Sequence, residues 1–116
     1  MAFLATTRPV EAKRFFGETL GLGLVAEDQF ALVFEGAGVM LRVTPVEQLT
    51  PQPFTVLGWQ VPDAASAVRA LAARGVAVER FEGIDQDALG IWHAPSGAQV
   101  AWFKDPDGNV LSVSQH

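Results

Sequence analysis

One hairpin pattern occurs twice in this chain, and it limits the folds available more than any other feature. Residues 100–113 read VAWFKDPDGNVLSV. An apolar run ends at Phe103, and Asp105-Pro106-Asp107-Gly108-Asn109 then turns the chain, with Pro fixing φ and Gly allowing φ > 0. In the returning run Leu111 and Val113 share one face, and Val110, Ser112 and Ser114 share the other. Residues 31–43 read ALVFEGAGVMLRV. Phe34 matches Phe103, Gly38 matches Gly108, Leu41 matches Leu111 and Val43 matches Val113. Arg42 is thereby the counterpart of Ser112. Self-similarity of this kind predicts two structurally equivalent halves.

The surroundings of the hairpins extend the repeat. A strand is predicted over 3–7. A helix follows from Pro9, with Glu11 in its first turn and Ala12, Phe15, Phe16, Thr19 and Leu20 as its buried stripe. Arg8 is a poor N-cap and Gly21 a suitable C′ residue. Strands are predicted over 22–27, 30–35 and 39–44, with turns at Asp28-Gln29 and Gly36-Ala37-Gly38. Residues 46–53 carry Pro51 and Pro53 and read as a linker. Beyond it come a strand over 54–61 and a helix capped by Asp63, with Ala64, Ala67, Val68 and Leu71 inward and Gly75 closing it. Strands over 76–81, 89–94, 99–104 and 110–114 complete the chain, with an acidic loop over 82–88. The expected fold is α+β, one domain with modules at 1–45 and 54–116. Short turns between strands argue against a parallel doubly wound sheet.

Charge and composition remove several functions. Eight Lys and Arg against 13 Asp and Glu give a net charge of −5, and the basic residues are scattered. No nucleic-acid footprint is present. No apolar run is long enough to span a bilayer, and no basic amphipathic helix suits a membrane surface. With no Cys, thiol chemistry and Cys-based zinc sites are excluded. Nothing resembles a secretory leader, so a cytoplasmic location is expected.

The β-α-β-β-β repeat, the run Ala12-Lys13-Arg14-Phe15-Phe16 through Leu20-Gly21-Leu22, and above all the closing Phe103 to Asn109 motif resemble the vicinal oxygen chelate superfamily. That group includes glyoxalase I, extradiol dioxygenases and bleomycin-resistance proteins. The resemblance implies two β-α-β-β-β modules forming a curved mixed sheet around a cleft. In metal-dependent members four cleft side chains, mostly His and Glu, hold a divalent ion that acts as a Lewis acid. The corresponding positions here are Met1, Arg42, Val56 and Ser112. A guanidinium has no lone pair to give and repels a cation, and Val56 is no ligand. No metal and no other cofactor is expected.

What remains is an apolar cleft with a few polar points, the usual form of a small-molecule site. Alternation along the strands places Ser112, Val110 and Ser114 in it, with Gly58 and Gln60, and, through the repeat, Phe3, Ala5, Met40 and Arg42. Trp102 and Val33 share that parity. Arg42, Gln60, Trp102 and Ser112 are the expected ligand-binding residues. Arg42 admits two readings, a strand residue paired with Glu35 or another acid, and a pocket cation that grips a carboxylate or phosphate. His93 is the candidate general base; a partly exposed strand histidine is the alternative that the sequence favours, since no orienting acid is fixed near it. The three tryptophans read first as core residues, with Trp92 and Trp102 also suited to stacking a planar ligand. Asp105 and Asp107 read as caps for the turn. The expected function is a metal-free small-molecule binding protein of the bleomycin-resistance type, acting as a homodimer. The alternative is a glyoxalase-like lyase or dioxygenase with a relocated metal.

Overall fold

The two hairpins pair as their spacing requires. The computed structural model describes residues 1–36 and 38–116. Its elements run β1 (Ala2–Thr6), α1 (Pro9–Arg14), β2 (Gly23–Glu27), β3 (Leu32–Gly36), β4 (Val39–Pro45), β5 (Thr55–Gln60), α2 (Ala64–Ala73), β6 (Trp92–His93), β7 (Gln99–Lys104) and β8 (Val110–Gln115). They form two compact units, Met1–Pro51 with Asp105–Gly108, and Gln52–Lys104 with Asn109–His116.

The first unit carries a mixed sheet in the order β1-β4-β3-β2, with β1 parallel to β4 and the other pairs antiparallel. Phe34 pairs with Leu41, and Leu32 with Val43. All are buried, together with Leu4, Ala12 and Phe16. The rings of Phe16 and Phe34 lie 5.8 Å apart, so the helical segment covers this face of the sheet. The helix begins without a side-chain cap at Arg8, as its sequence implies. It then departs from expectation. The α-helical hydrogen bonding ends at Arg14, and Phe15–Thr19 is a π-helical turn in which Leu20 N–H reaches back to Phe15 C=O at 2.8 Å. Gly17, a poor helix former, sits inside the slipped turn. β2 is an edge strand, exposed throughout and bulged between Leu24 and Ala26, which blunts it against further pairing. Asp28 Oδ1 accepts from Phe30 and Ala31 N–H and forms the predicted turn. In the next turn Gly38 has φ +76°, and Ala37 lies outside the described residues.

The second unit repeats the order as β5-β8-β7-β6, with β5 parallel to β8. Phe103 pairs with Leu111, and Ala101 with Val113, the same inward pairs as in the first unit. With Ile91, Val68 and Leu71 they form its core. Asp63 caps α2 by accepting from Ser66 N–H at 3.1 Å, which holds its carboxyl below the usual range, and Gly75 closes the helix at φ +84°. Two expected strands change. Residues 76–81 form no strand: Glu79 N–H donates to Trp102 C=O at 2.7 Å, but the Gln86 side chain takes up part of the remaining backbone. Gln86 accepts from Phe81 N–H and donates to Glu79 C=O, and Arg80 donates to the carbonyls of Asp87 and Ala88. The strand expected over 89–94 shortens to Trp92–His93. Gly90 is at φ +86° and ends the pairing on that side. The unit is left with the β-α-β-β-β order of the first. No helix among the described residues is long and apolar enough to cross a membrane.

The turn between β7 and β8 groups with the first unit. Asp105 Oδ1 accepts from Asp107 N–H, and Gly108 stands at φ +90° with its α-carbon facing Pro51. A side chain at Gly108 would sit 3.4 Å from Pro51 Cγ on a backbone that L-residues avoid. Gly108→Val is expected to lower stability by about 1–3 kcal/mol through strain. Thermal unfolding measures it, and an unchanged midpoint would show the turn to be misread.

Candidate functional site

In the second unit, α2 packs against β7 and β8. The opposite sheet face is built in three ladder rows. Trp92, Val100, Ser114 and Gln60 lie across from one another, then Trp102, Ser112 and Gly58, then Lys104, Val110 and Thr55. Cross-strand partners share a face, so Gln60, Trp102 and Ser112 come together, as strand parity predicts.

The aromatic residues give this face its character. The Trp92 and Trp102 rings stack at 6.1 Å and 28°. Phe81, from the irregular segment after α2, meets Trp102 edge-on at 5.6 Å and 84°. Trp102 is half-buried, and its indole N–H donates to Thr55 Oγ1 at 2.9 Å, so the one polar group of the ring is satisfied within the sheet. Beyond the rings, Ser112 and Gly58 complete the middle row. Gly58 has no side chain, and a Cβ there would overlap Ser112 Oγ. Ser112 itself is buried at 8% exposure. Lys104 is drawn aside toward Glu79, with 3.6 Å between Nζ and Oε1. The surface is thus an aromatic platform edged by hydroxyl groups, and Lys104 beside it is paired.

The other sequence candidates fall outside these rows. Arg42 belongs to the first unit, where it pairs with Phe3 on one side and Val33 on the other. His93 follows Trp92 directly and so points away from the platform. Its Nε2 lies 2.8 Å from Asp87 Oδ2 on the exposed edge of the sheet. The His93 hydrogen bond, with the amides of Ile91 and Leu89, outweighs slight desolvation and holds the Asp87 carboxyl below its ordinary range. Asp87 is the orienting acid that the sequence does not reveal; its partner is six residues away across a loop. Thr55 and Phe81 also escape a reading of the sequence, and neither carries a local signal. Gly58 does carry one, since a glycine inside a strand marks a bulge or a close approach.

The residues at the expected metal positions do not fit a divalent ion. Val56 is the extra residue of a bulge, between Thr55 paired with Val110 and Leu57 paired with Leu111. Met1 precedes β1 and is exposed. Arg42 is cationic, and Ser112 offers one neutral hydroxyl. Among the described residues no group of three or more His, Cys, Asp or Glu side chains is placed to hold a metal. Two open grooves of about 410 and 450 Å³ run beside α1 in the first unit, both lined by Val10 and Lys13, on the helix-covered side of that sheet.

No protein-family model matches the chain, and no curated protein matches it. Solved structures do. A member of the glyoxalase/bleomycin resistance protein/dioxygenase superfamily from Sphaerobacter thermophilus superposes with a TM-score of 0.76 at 21% identity, covering 99% of this chain and 94% of that one. TnmS3, an antibiotic binding protein from Streptomyces sp. CB03234, gives 0.72 at 26% identity, covering 97% and 90%. A lactoylglutathione lyase from Agrobacterium tumefaciens gives 0.75 at 17% identity, covering 98% and 90%. The fold is therefore that of glyoxalase/bleomycin resistance/dioxygenase superfamily proteins, consistent with a vicinal oxygen chelate fold.

Proposed function

We propose that this chain is a small-molecule binding protein that holds a planar ligand against the Trp92–Trp102 platform. The stacked Trp92–Trp102 pair on the sheet face opposite α2 is the observation that carries the reading. Aromatic faces present negative potential, and the platform's lysine is already engaged by Glu79. A planar cation or a neutral polycycle suits it better than an anion. Ser112 and Gln60 supply hydrogen bonds that orient such a ligand. The likeness to an antibiotic binding protein supports a sequestering role. The alternative, an enzyme with a relocated metal, has only the Asp87–His93 pair in its favour, and that pair does not share the platform's face.

The test is a panel of planar aromatic compounds, cationic and neutral, 9-aminoacridine among them, followed by tryptophan fluorescence and thermal shift. Trp102→Ala is expected to weaken binding about tenfold or more, a loss of about 1.4 kcal/mol or greater, while Trp102→Phe keeps most of it. If no compound raises the melting temperature, or if Trp102→Ala binds as the parent does, the platform is not the site. One tightly held divalent ion per chain by elemental analysis would favour the enzyme instead.

A further inference from the structure

One side-chain amide in the second unit does the work of a missing strand. Residues 79–81 run beside β7, where Glu79 N–H donates to Trp102 C=O, and they belong to no strand. Glu79 C=O and Phe81 N–H, the groups that flank Arg80, are the pair that one residue of a parallel neighbour strand would bond. Backbone groups of this kind need partners. The Gln86 side chain supplies both. Its Oε1 accepts from Phe81 N–H at 2.8 Å, and its Nε2 donates to Glu79 C=O at 2.9 Å. Nε2 also donates to Gly90 C=O at 2.8 Å, so one amide joins the segment before the acidic loop to the segment after it.

The residue type matters here. Position 86 stands among Glu82, Asp85 and Asp87, yet it is not an acid. It must accept one hydrogen bond and donate two, and a carboxamide can do both. A carboxylate would accept from Phe81 but would face two carbonyl oxygens with nothing to donate. Asn carries the same groups on a side chain one methylene shorter. The neighbouring Asp87 anchors the amide from behind. Its Oδ1 accepts from Leu89 and Ile91 N–H at 2.9 and 3.0 Å, which closes the turn that carries Gly90. Gly83, at φ +79°, lets the chain fold back between Phe81 and Gln86. Phe81 is thereby fixed at one end of this buckle, with its ring edge-on to Trp102 at 5.6 Å.

We propose that Gln86 is a positioning residue. Its amide holds Phe81 against Trp102 and so fixes the third ring of the aromatic platform, without touching a ligand itself. Released from Gln86, Phe81 N–H and Glu79 C=O turn to water, and the ring loses its set place beside Trp102. The consequence for binding rests on the platform being the ligand site; the packing of Phe81 on Trp102 does not.

Phe81→Ala, Gln86→Ala and the double variant form a cycle, read in two ways. Without ligand, near-ultraviolet circular dichroism reports how the tryptophans are packed. Gln86→Ala is expected to shift that signal as Phe81→Ala does, with the far-ultraviolet spectrum unchanged and no further shift in the double variant. With 9-aminoacridine as probe, each single variant is expected to bind about threefold weaker or worse, and the double variant no weaker than Phe81→Ala alone. Gln86→Glu adds a readout that a merely structural loss would not move. At about pH 7 it is expected to behave as Gln86→Ala. Towards about pH 5 it regains the parent's signal, because the facing carbonyls raise the pKa of the new carboxyl, which then donates again. Effects of the two single variants that multiply in the double variant overturn the proposal, and so does a Gln86→Ala spectrum identical to the parent's. If the cycle holds without ligand while neither Phe81→Ala nor Trp102→Ala alters 9-aminoacridine binding, Gln86 does position Phe81, and it is the platform that is not the ligand site.

Discussion

Phe103→Ala is expected to lower stability by about 3–5 kcal/mol, and Phe34→Ala by a similar amount. Each ring is buried to within 1% of complete. Each stands opposite a leucine in its hairpin, Phe103 opposite Leu111 and Phe34 opposite Leu41. Truncation removes the ring's burial and leaves a cavity that paired strands cannot collapse to fill, since their backbones are fixed by the ladder. A domain of this size is stable by only about 5–15 kcal/mol, so either variant loses a large share of the total. Urea denaturation measures both. A loss under about 1 kcal/mol at either position would mean that the hairpin is not the centre of its core.

The second large effect concerns Asp107. Its carboxylate accepts from the hydroxyl of buried Thr6, from Thr7 N–H at 2.8 Å and from the Thr7 hydroxyl. Burial pushes its pKa up. The Thr6 and Thr7 hydrogen bonds and the nearby charge of Arg8 outweigh that and leave the group below its ordinary value. A depressed carboxyl pKa stabilises the fold fully above the unfolded-state value, about 4, and the contribution is lost as pH falls through the folded-state value. Asp107→Asn is therefore expected to cost about 1–3 kcal/mol at pH 7, because amide nitrogen cannot accept from the threonines. The difference between parent and variant shrinks as pH drops below about 4. Melting curves from pH 3 to 8 decide the matter. A gap that stays constant across that range would show that the carboxylate charge is not what holds the turn.

Asp107 also shows where sequence reasoning stops. Both aspartates of the turn read as local caps. Asp105 is one, accepting from Asp107 N–H two residues on. Asp107 instead bonds to residues about 100 positions away, which no local pattern encodes. The same division runs through the candidate site. Strand parity is enough to place Gln60, Trp102 and Ser112 on one face. It cannot supply Thr55, which reaches that face at a bulge beside Val56, because a bulge changes register without altering composition. Nor can it supply Phe81, from a segment that reads as a strand yet is held irregular by Gln86 and Arg80.

By itself the sequence determined the two-fold repeat, the α+β class, the buried Phe and Leu pairs, the Asp63 cap and the positive-φ glycines at 38 and 108. These are properties of period, turn geometry and side-chain volume, which act over a few residues at a time. Only the tertiary structure decided that Trp92 and Trp102 stack on an open face rather than in the core. It alone joined His93 to Asp87, and it alone set Arg42 between Phe3 and Val33, with no acid bound to it among the described residues. The reason is that a side chain's partners are set by which strands lie beside it, and strand order in a sheet is fixed by contacts distant along the chain.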